Sequence, residues 1–159
     1  MDLRVAGIYK DFRPVVTITG SHRNLSMFGA ISPDGRQLFR QYNRFNEETF
    51  YEFLKQIHHI FPRCYLFLHK APQHYRSCKV GKYFEEHNGS LIPVDLSTAS
   101  PEFTVLEECW NISKDDLLVL TYYKSFTEFR KRLGPYFRTK HFNLNIRNYL
   151  TRNMSVNLS

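Results

Sequence analysis

A run of five residues, Cys-Tyr-Leu-Phe-Leu at positions 64–68, constrains the fold most strongly. The run is apolar and too short for a buried helix, so it predicts a strand inside a sheet. An apolar stripe at helical spacing precedes it from Phe50 to Phe61, with Asn46 as the N-cap residue and Pro62 as the stop. A buried strand that follows a helix of this kind predicts an α/β fold.

The rest of the chain supplies further strands and helices. Strands are predicted at residues 14–19, 26–32 and 37–42, and they form an antiparallel meander with a turn at Pro33-Asp34-Gly35. A helix after Ser77 stops at Gly89, and a short strand follows at residues 91–96. Three more helices are predicted: one starts at Ser100-Pro101, one runs from Ser125 to a break at Gly134-Pro135, and one surrounds residues 142–150.

Length and composition exclude several classes of protein. A chain of 159 residues fits one domain, and an aromatic content of 16% argues against disorder. No apolar run approaches the roughly 20 residues of a membrane span, and the N-terminus is too polar for a signal peptide. The three cysteines are odd in number and form no Cys-x-x-Cys motif, which favours a reducing compartment. We therefore expect a cytoplasmic protein with no membrane partner.

The positive charge is confined to the C-terminal part of the chain. The net charge is +7, and residues 1–116 carry 14 basic and 14 acidic side chains. Residues 117–159 carry eight basic side chains and one acid, Glu128, so they hold the whole excess. A basic segment beside a neutral body indicates a polyanion partner, most simply nucleic acid, although a solvated basic face is the alternative.

Two stretches together resemble the motifs of a known family. The first is LFLHKAPQH at residues 66–74, and the second is STASPEFTVLEECW at residues 97–110. In this order and at this separation they resemble the DDE transposases of insertion sequences and mariner-like elements. Ala71 and His74 match the first motif of that family, in which an Asp-Asn pair ends a strand. The second motif is matched by Ser100, Pro101, Glu107 and Trp110.

The resemblance covers nearly the whole chain and implies a single catalytic-type domain over residues 1–159. It implies a ribonuclease H-like fold with a mixed sheet, an antiparallel meander and flanking helices. It also implies DNA cleavage and strand transfer with Mg²⁺ or Mn²⁺ held by acids on different elements, because hard cations take oxygen ligands. Glu107 stands at the position of the metal-binding catalytic Glu, and His69 stands at the position of the second Asp.

This chain departs from the family at the acids. Imidazole is a poor ligand for Mg²⁺, and the charge of Lys70 beside His69 opposes cation binding by an amount on the order of a few kcal/mol. No apolar strand before residue 13 ends in an acid pair, and Asp2 and Asp11 are the only candidates for the first Asp. We therefore expect a truncated copy that lacks the usual N-terminal DNA-binding helices and the first strand of the sheet.

Other interpretations of these residues stay open. His69 is a degenerate strand-end position or a substituted metal ligand, and Glu107 is a metal ligand or a carboxylate that complements a helix dipole. A zinc cluster of His69, His74 and Cys78 has loose spacing and no second pair of ligands. Six basic or imidazole side chains are candidates for DNA contact: Lys70, His74, Arg76, Arg130, Lys131 and Arg132.

The sequence thus supports three hypotheses. The first is the catalytic domain of an insertion-sequence transposase whose copy here is inactive or impaired. The second is a non-catalytic DNA-binding or oligomerisation remnant of a transposase, with a homodimer as an open alternative for its assembly. The third is an unfolded product without a function.

Overall fold

The computed structural model describes residues 2–8, 26–68, 77–95, 105–119, 121–145 and 148. Five strands and four helices lie in these ranges. In chain order they are β1 (Asp2–Ile8), β2 (Ser26–Ile31), β3 (Gln37–Tyr42), α1 (Glu47–Ile60), β4 (Cys64–Leu68), α2 (Cys78–Glu86), β5 (Leu91–Asp95), α3 (Val105–Leu118) and α4 (Phe126–Thr139).

The five strands form one mixed sheet with the order β3-β2-β1-β4-β5. Strand β2 is antiparallel to both of its neighbours, β1 and β3, whereas β4 is parallel to both β1 and β5. An antiparallel meander followed by parallel strands, with the first strand at the centre of the sheet, is the ribonuclease H-like arrangement. The predicted fold class is therefore confirmed.

The expected loss of the first strand is wrong. Residues 2–8 form β1, which pairs with β2 on one side and with β4 on the other. The prediction was wrong because it required the first strand to be an apolar run that ends in two acids. The segment Leu-Arg-Val-Ala-Gly-Ile contains an arginine and ends without an acid. Pairing on both sides stabilises this strand whatever acids it carries, because its backbone hydrogen bonds are made inside the sheet.

Helices cover both faces of the sheet, and each face has its own core. The α1–α2 face buries Phe28 and Leu66 of the sheet against aromatic and aliphatic residues of α1 and α2. The α3–α4 face buries Phe39 and Phe67 against side chains of α3 and α4, including Trp110. Neighbouring residues of β2 and β4 go to opposite faces, as the period of two in a strand requires.

Local sequence signals fix several element boundaries. The side chain of Asn46 accepts a hydrogen bond from the Thr49 backbone N–H at 2.9 Å, and the Thr49 hydroxyl accepts one from the Asn46 backbone, so that a capping box starts α1. Ser77 caps α2 in the predicted way. The turn between β2 and β3 uses Gly35 at a φ of 86°, a conformation that glycine adopts without strain.

The predicted break at Gly134-Pro135 is wrong, because α4 continues through Pro135 to Thr139. A proline inside a helix costs about 3 kcal/mol. Phe137 lies beyond it and is buried, with its ring 5.0 Å from the ring of Phe39 and 5.7 Å from that of Trp110. Burial of the Phe137 side chain offsets the cost of the proline. The rule that Gly-Pro ends a helix considers only near neighbours in the chain and so leaves out this packing.

Three predictions fall wholly or partly outside the described ranges. They are the strand at residues 14–19, the helix start at Ser100-Pro101 and most of the terminal helix. Phe142 is described, and it lies in a segment without regular structure rather than in a helix. Among the described helices, none combines the length and the apolar character that a membrane span needs.

Candidate functional site at the carboxyl edge of the sheet

The carboxyl ends of β1, β3, β4 and β5 lie at one edge of the sheet, which we call the carboxyl edge. Strands β1 and β4 are parallel, and β3 shares their direction because both β1 and β3 are antiparallel to β2. Strand β5 is parallel to β4 and ends at the same edge, so the last residues of the four strands are Ile8, Tyr42, Leu68 and Asp95. Ligand sites of parallel sheets form outside such ends, so this edge is where the resemblance predicts the acids.

The strand register shows which residues of β1 reach this edge. Val5 pairs with Phe67, so residues 6–8 run alongside the end of β4, and they are alanine, glycine and isoleucine. Asp2 pairs with Cys64, the first residue of β4. At 3.3 Å per residue, Asp2 lies about 16 Å from the position that follows Leu68. The register thus removes Asp2 as a candidate for the first acid of a site at the carboxyl edge.

Glu107 belongs to the α3–α4 face near the same edge. It lies half-buried in the first turn of α3, directly after the buried residue Leu106. The Cδ2 atom of Leu106 lies 3.1 Å from the place that a Cβ atom on Gly29 would occupy. Gly29 pairs with Gly7 of β1, so the start of α3 crosses the sheet at the level of this glycine pair. An acid at position 7 would share this face with Glu107, because cross-strand partners point to the same side.

The structure also brings part of the basic segment to the carboxyl edge. The guanidinium of Arg130 in α4 donates a hydrogen bond to Oδ1 of Asn43, the residue that follows β3. At the other end of β3, the side-chain amide of Gln37 donates a hydrogen bond to the Lys140 carbonyl and accepts one from the Phe142 backbone N–H. Helix α4 therefore runs antiparallel to β3, and its first half lies at the carboxyl edge. Lys131 and Arg132 are exposed beside Arg130.

Four predicted site residues lie outside the described ranges: His69, Lys70, His74 and Arg76. Asp11 also lies outside them. Of the zinc alternative only Cys78 is described, as the exposed first residue of α2. Within the described part of the chain, no group of three or more His, Cys, Asp or Glu side chains could hold a metal ion.

Sequence reasoning missed Asn43 and Arg44 as members of the carboxyl edge. They directly follow β3, and the exposed side chain of Arg44 adds a positive charge to this end of the sheet. The position after a strand was the available signal. This signal did not place the end of β3 beside the end of β4. The two strands share a direction only through β1, and β1 was expected to be absent.

A sequence profile for the DDE superfamily endonucleases matches residues 3–130, which is most of the chain. The chain belongs to the DDE superfamily endonucleases. The match begins inside β1, in agreement with a sheet that includes its first strand. No sequence among the curated proteins matches this DDE superfamily endonuclease significantly.

Two solved structures are similar to this DDE superfamily endonuclease. One is a chain of the simian T-cell lymphotropic virus intasome in complex with the PP2A regulatory subunit B56 gamma, with 11% identity over 96% of this chain and 46% of that chain, and a TM-score of 0.49. The other is the large terminase nuclease from the thermophilic phage G20c with bound zinc, with 11% identity over 96% of this chain and 81% of that chain, and a TM-score of 0.34. This chain spans less than half the length of the first.

DDE nucleases depend on metal ions, and the described residues do not fit such a site. Mg²⁺ and Mn²⁺ take carboxylate oxygens from several elements. The carboxyl half of β1 offers no carboxylate, and Glu107 is the described acid that the sequence resemblance predicts as a metal ligand. The sequence places His69 and Lys70 directly after β4, and neither side chain supplies an oxygen ligand.

Proposed function

We propose that this chain is a transposase-type DDE domain that binds DNA and does not cleave it. One observation carries the proposal: residues 6–8 of β1, which lie beside the end of β4, contain no acid. The residue after β4 is a histidine. In this proposal two of the three acids of the family motif are replaced, and Glu107 is the acid that remains.

Loss of two acids removes the charge that holds two divalent ions. Each ion must exchange bound water for anionic oxygens, and a single carboxylate does not compensate for that loss. A lysine at position 70 adds a positive charge next to the substituted position, so the local potential opposes cations further. The Mg²⁺ or Mn²⁺ of active relatives is therefore not retained in this copy.

A plasmid-nicking assay with Mg²⁺ and with Mn²⁺ tests the inactivity. We expect no nicking above the level of a Glu107→Ala variant, which serves as the matched control because it removes the remaining acid. A cooperative melt, followed by circular dichroism, establishes that both proteins are folded. Robust nicking that Glu107→Ala abolishes would contradict the proposal.

Restoring the acids one at a time is a sharper test. We expect His69→Asp alone to stay inactive, because β1 still lacks its acid. Gly7→Asp places a carboxylate on the α3–α4 face, where Glu107 lies, and the double variant Gly7→Asp/His69→Asp has three acids. Calorimetry is expected to detect Mn²⁺ binding by the double variant and by neither single variant. Mn²⁺ binding by His69→Asp alone would show that another residue already supplies the first acid.

DNA binding is the second part of the proposal, and the charge distribution supports it. Arg130, Lys131 and Arg132 are exposed on the first half of α4, and Arg130 reaches the carboxyl edge. Each phosphate contact releases counterions, so that affinity falls with salt. We expect a linear log-log dependence of the affinity for duplex DNA on salt concentration, with a negative slope.

Neutralising the three residues to glutamine should reduce the magnitude of that slope by about 0.9 for each phosphate group that is no longer neutralised. Arg63→Gln with Lys82→Gln is the matched control. Both residues are exposed and basic, and they lie away from the carboxyl edge, before β4 and on α2. The same slope for the triple variant and the wild type would remove these residues from the interface. Absence of DNA retardation at low salt would remove the binding function itself.

A homodimer is the third part of the proposal, since an assembly of two copies would bring together two DNA ends. Sedimentation velocity with and without duplex DNA measures it directly. A monomer under both conditions would reject the homodimer and leave DNA binding by a single copy intact.

A further inference from the structure

Tyr122 is too exposed to be part of a hydrophobic core. It lies between α3 and α4, and 82% of its surface is accessible to solvent. Within the described ranges, the large hydrophobic side chains that are exposed are Tyr122 and Val119, the latter at 56%. Both belong to the same short connection, residues 119–125. A tyrosine offers a flat apolar ring with a polar tip, a combination that is enriched at interaction sites.

The backbone directly after Tyr122 is held in place by contacts of the next two residues. The next residue, Tyr123, is buried, and its hydroxyl donates a hydrogen bond of 2.7 Å to the Leu117 carbonyl. Its ring also packs against Phe129, with the ring centroids 5.1 Å apart. The backbone N–H of Lys124 donates to the Glu128 carboxylate at 2.8 Å. These contacts hold the chain so that the ring of Tyr122 is presented to solvent on an anchored backbone.

This connection lies at the carboxyl edge. Arg130 contacts Asn43 just after β3, and α4 runs antiparallel to β3. Phe126, four residues earlier, therefore lies about 6 Å further along the helix axis, beyond the end of β3. Tyr122 and the exposed Lys124 lie four and two residues before Phe126 in the chain. An exposed aromatic ring thus lies at the carboxyl edge, two residues before the exposed Lys124.

We propose that Tyr122 is a stacking platform for an unpaired nucleobase of DNA, with the phosphates of the same strand held by Lys124 and Lys131. This inference rests on the DNA-binding function proposed above and adds a preference for unpaired bases. Every base offers a flat face to an aromatic ring, and nearby cations hold the backbone. The neighbouring acid, Glu128, accepts a backbone hydrogen bond at the helix start and leaves a net positive surface. A positive surface favours a nucleic acid over a basic or neutral protein partner.

Fluorescence anisotropy with two short DNA probes tests the inference. One probe is a blunt duplex, and the other is the same duplex with a few unpaired nucleotides at one end. We expect the wild type to bind the overhang probe about tenfold more tightly, because one base stacks on the ring. Tyr122→Phe is expected to keep this preference. Tyr122→Ala should lose it, and so should Tyr122→Leu, which keeps apolar surface but has no aromatic face.

Val119→Ala is the matched control for loss of exposed apolar surface in the same connection, and it should keep the preference. Equal affinity of the wild type for both probes would overturn the inference and leave the proposed DNA-binding function standing. No binding of either probe would overturn both. An overhang preference that survives Tyr122→Ala would place the unpaired bases elsewhere and so overturn the platform.

Discussion

The ring of Phe39 in β3 lies over Gly29 of β2, so closely that a Cβ atom on Gly29 would be 2.6 Å from Cε1 of the ring. The ring cannot move away easily, because Phe137 and Phe142 pack against it with centroid distances of 5.0 and 5.4 Å. Trp110 of α3 contacts the same ring. The missing side chain at position 29 therefore lets α3 and α4 pack closely on the sheet.

Gly29→Ala should lower the free energy of unfolding by about 1–3 kcal/mol, because the added methyl group displaces a packed ring. Urea denaturation measures the change. Gly81→Ala in α2 is the control: nothing lies within 4 Å of a Cβ atom there. Alanine in that helix should raise the free energy of unfolding by about 0.5–1 kcal/mol. Equal effects of the two substitutions would show that the contact with Phe39 has no energetic weight.

One carboxylate oxygen of Asp116 joins α3 to the end of α4. It accepts a hydrogen bond from the Tyr136 hydroxyl at 2.6 Å and lies 2.8 Å from Nζ of Lys140. Lys140 first and Tyr136 second lower the pKa of Asp116 below its ordinary value. The ionised form is thus favoured in the folded state, and this stabilisation is present above the ordinary pKa and lost as the pH falls.

Asp116→Asn should lower the free energy of unfolding by about 0.5–1 kcal/mol near neutral pH, a modest amount because the side chains are partly exposed. The difference from the wild type should shrink as the pH approaches about 3, since the wild-type carboxyl group is then being protonated. Urea midpoints at both pH values measure it. Asp115→Asn, on the exposed side of the same helix, should change neither value.

The imidazole of His58 in α1 lies between two hydroxyl groups. The Ser90 hydroxyl donates to the His87 carbonyl at 3.2 Å, so its oxygen can accept from Nε2–H of His58 at 3.1 Å. Nδ1 of His58 then accepts from the Tyr83 hydroxyl at 2.8 Å. Burial first, and the nearby His87 second, lower the pKa of His58.

A histidine with a lowered pKa in the folded state loses stability as the pH falls, because the unfolded chain takes up the proton first. The free energy of unfolding should therefore decrease between about pH 7 and pH 5, and His58→Gln should weaken this dependence. His59→Gln, at the exposed neighbour, should leave it unchanged. Urea denaturation at a series of pH values gives the slopes, and identical slopes for His58→Gln and the wild type would refute the assignment.

The three cysteines should differ in reactivity. Cys78 is exposed, whereas Cys64 and Cys109 are buried. Burial first, and the adjacent Glu108 second, raise the pKa of the Cys109 thiol to about 12. Thiolates react with disulfide reagents and thiols do not, so one fast-reacting group per native chain is expected. Cys78→Ser should abolish the fast phase, and denaturation should expose all three thiols in the wild type.

Local signals were sufficient for much of the fold. Asn46, Ser77 and Ser125 start their helices in the structure as they do in the sequence. At the start of α4, the Glu128 backbone N–H donates to the Ser125 hydroxyl, and the Glu128 carboxylate accepts from the backbone N–H of Lys124. The strand at residues 64–68 has the predicted bounds. These features follow from periodicity and from hydrogen bonds between near neighbours.

Other features depended on distant partners. The central position of β1 follows from its pairing with β2 and β4, and the continuation of α4 through Pro135 follows from the packing of Phe137 on Phe39. The location of Arg130 at the carboxyl edge needs its bond to Asn43, 87 residues away in the chain. Neither secondary-structure propensity nor the spacing of motifs predicts contacts between residues so far apart in the chain.

The sequence by itself determined the family, the order of the later strands and helices, and the presence of a histidine directly after β4. Only the tertiary structure decided that the first strand is present and which of its residues reach the carboxyl edge. The physical reason is the register of β1 against β4: pairing Asp2 with Cys64 leaves Ala6, Gly7 and Ile8 beside the end of β4. Register is set by hydrogen bonds between strands about 60 residues apart, and no single strand encodes it alone.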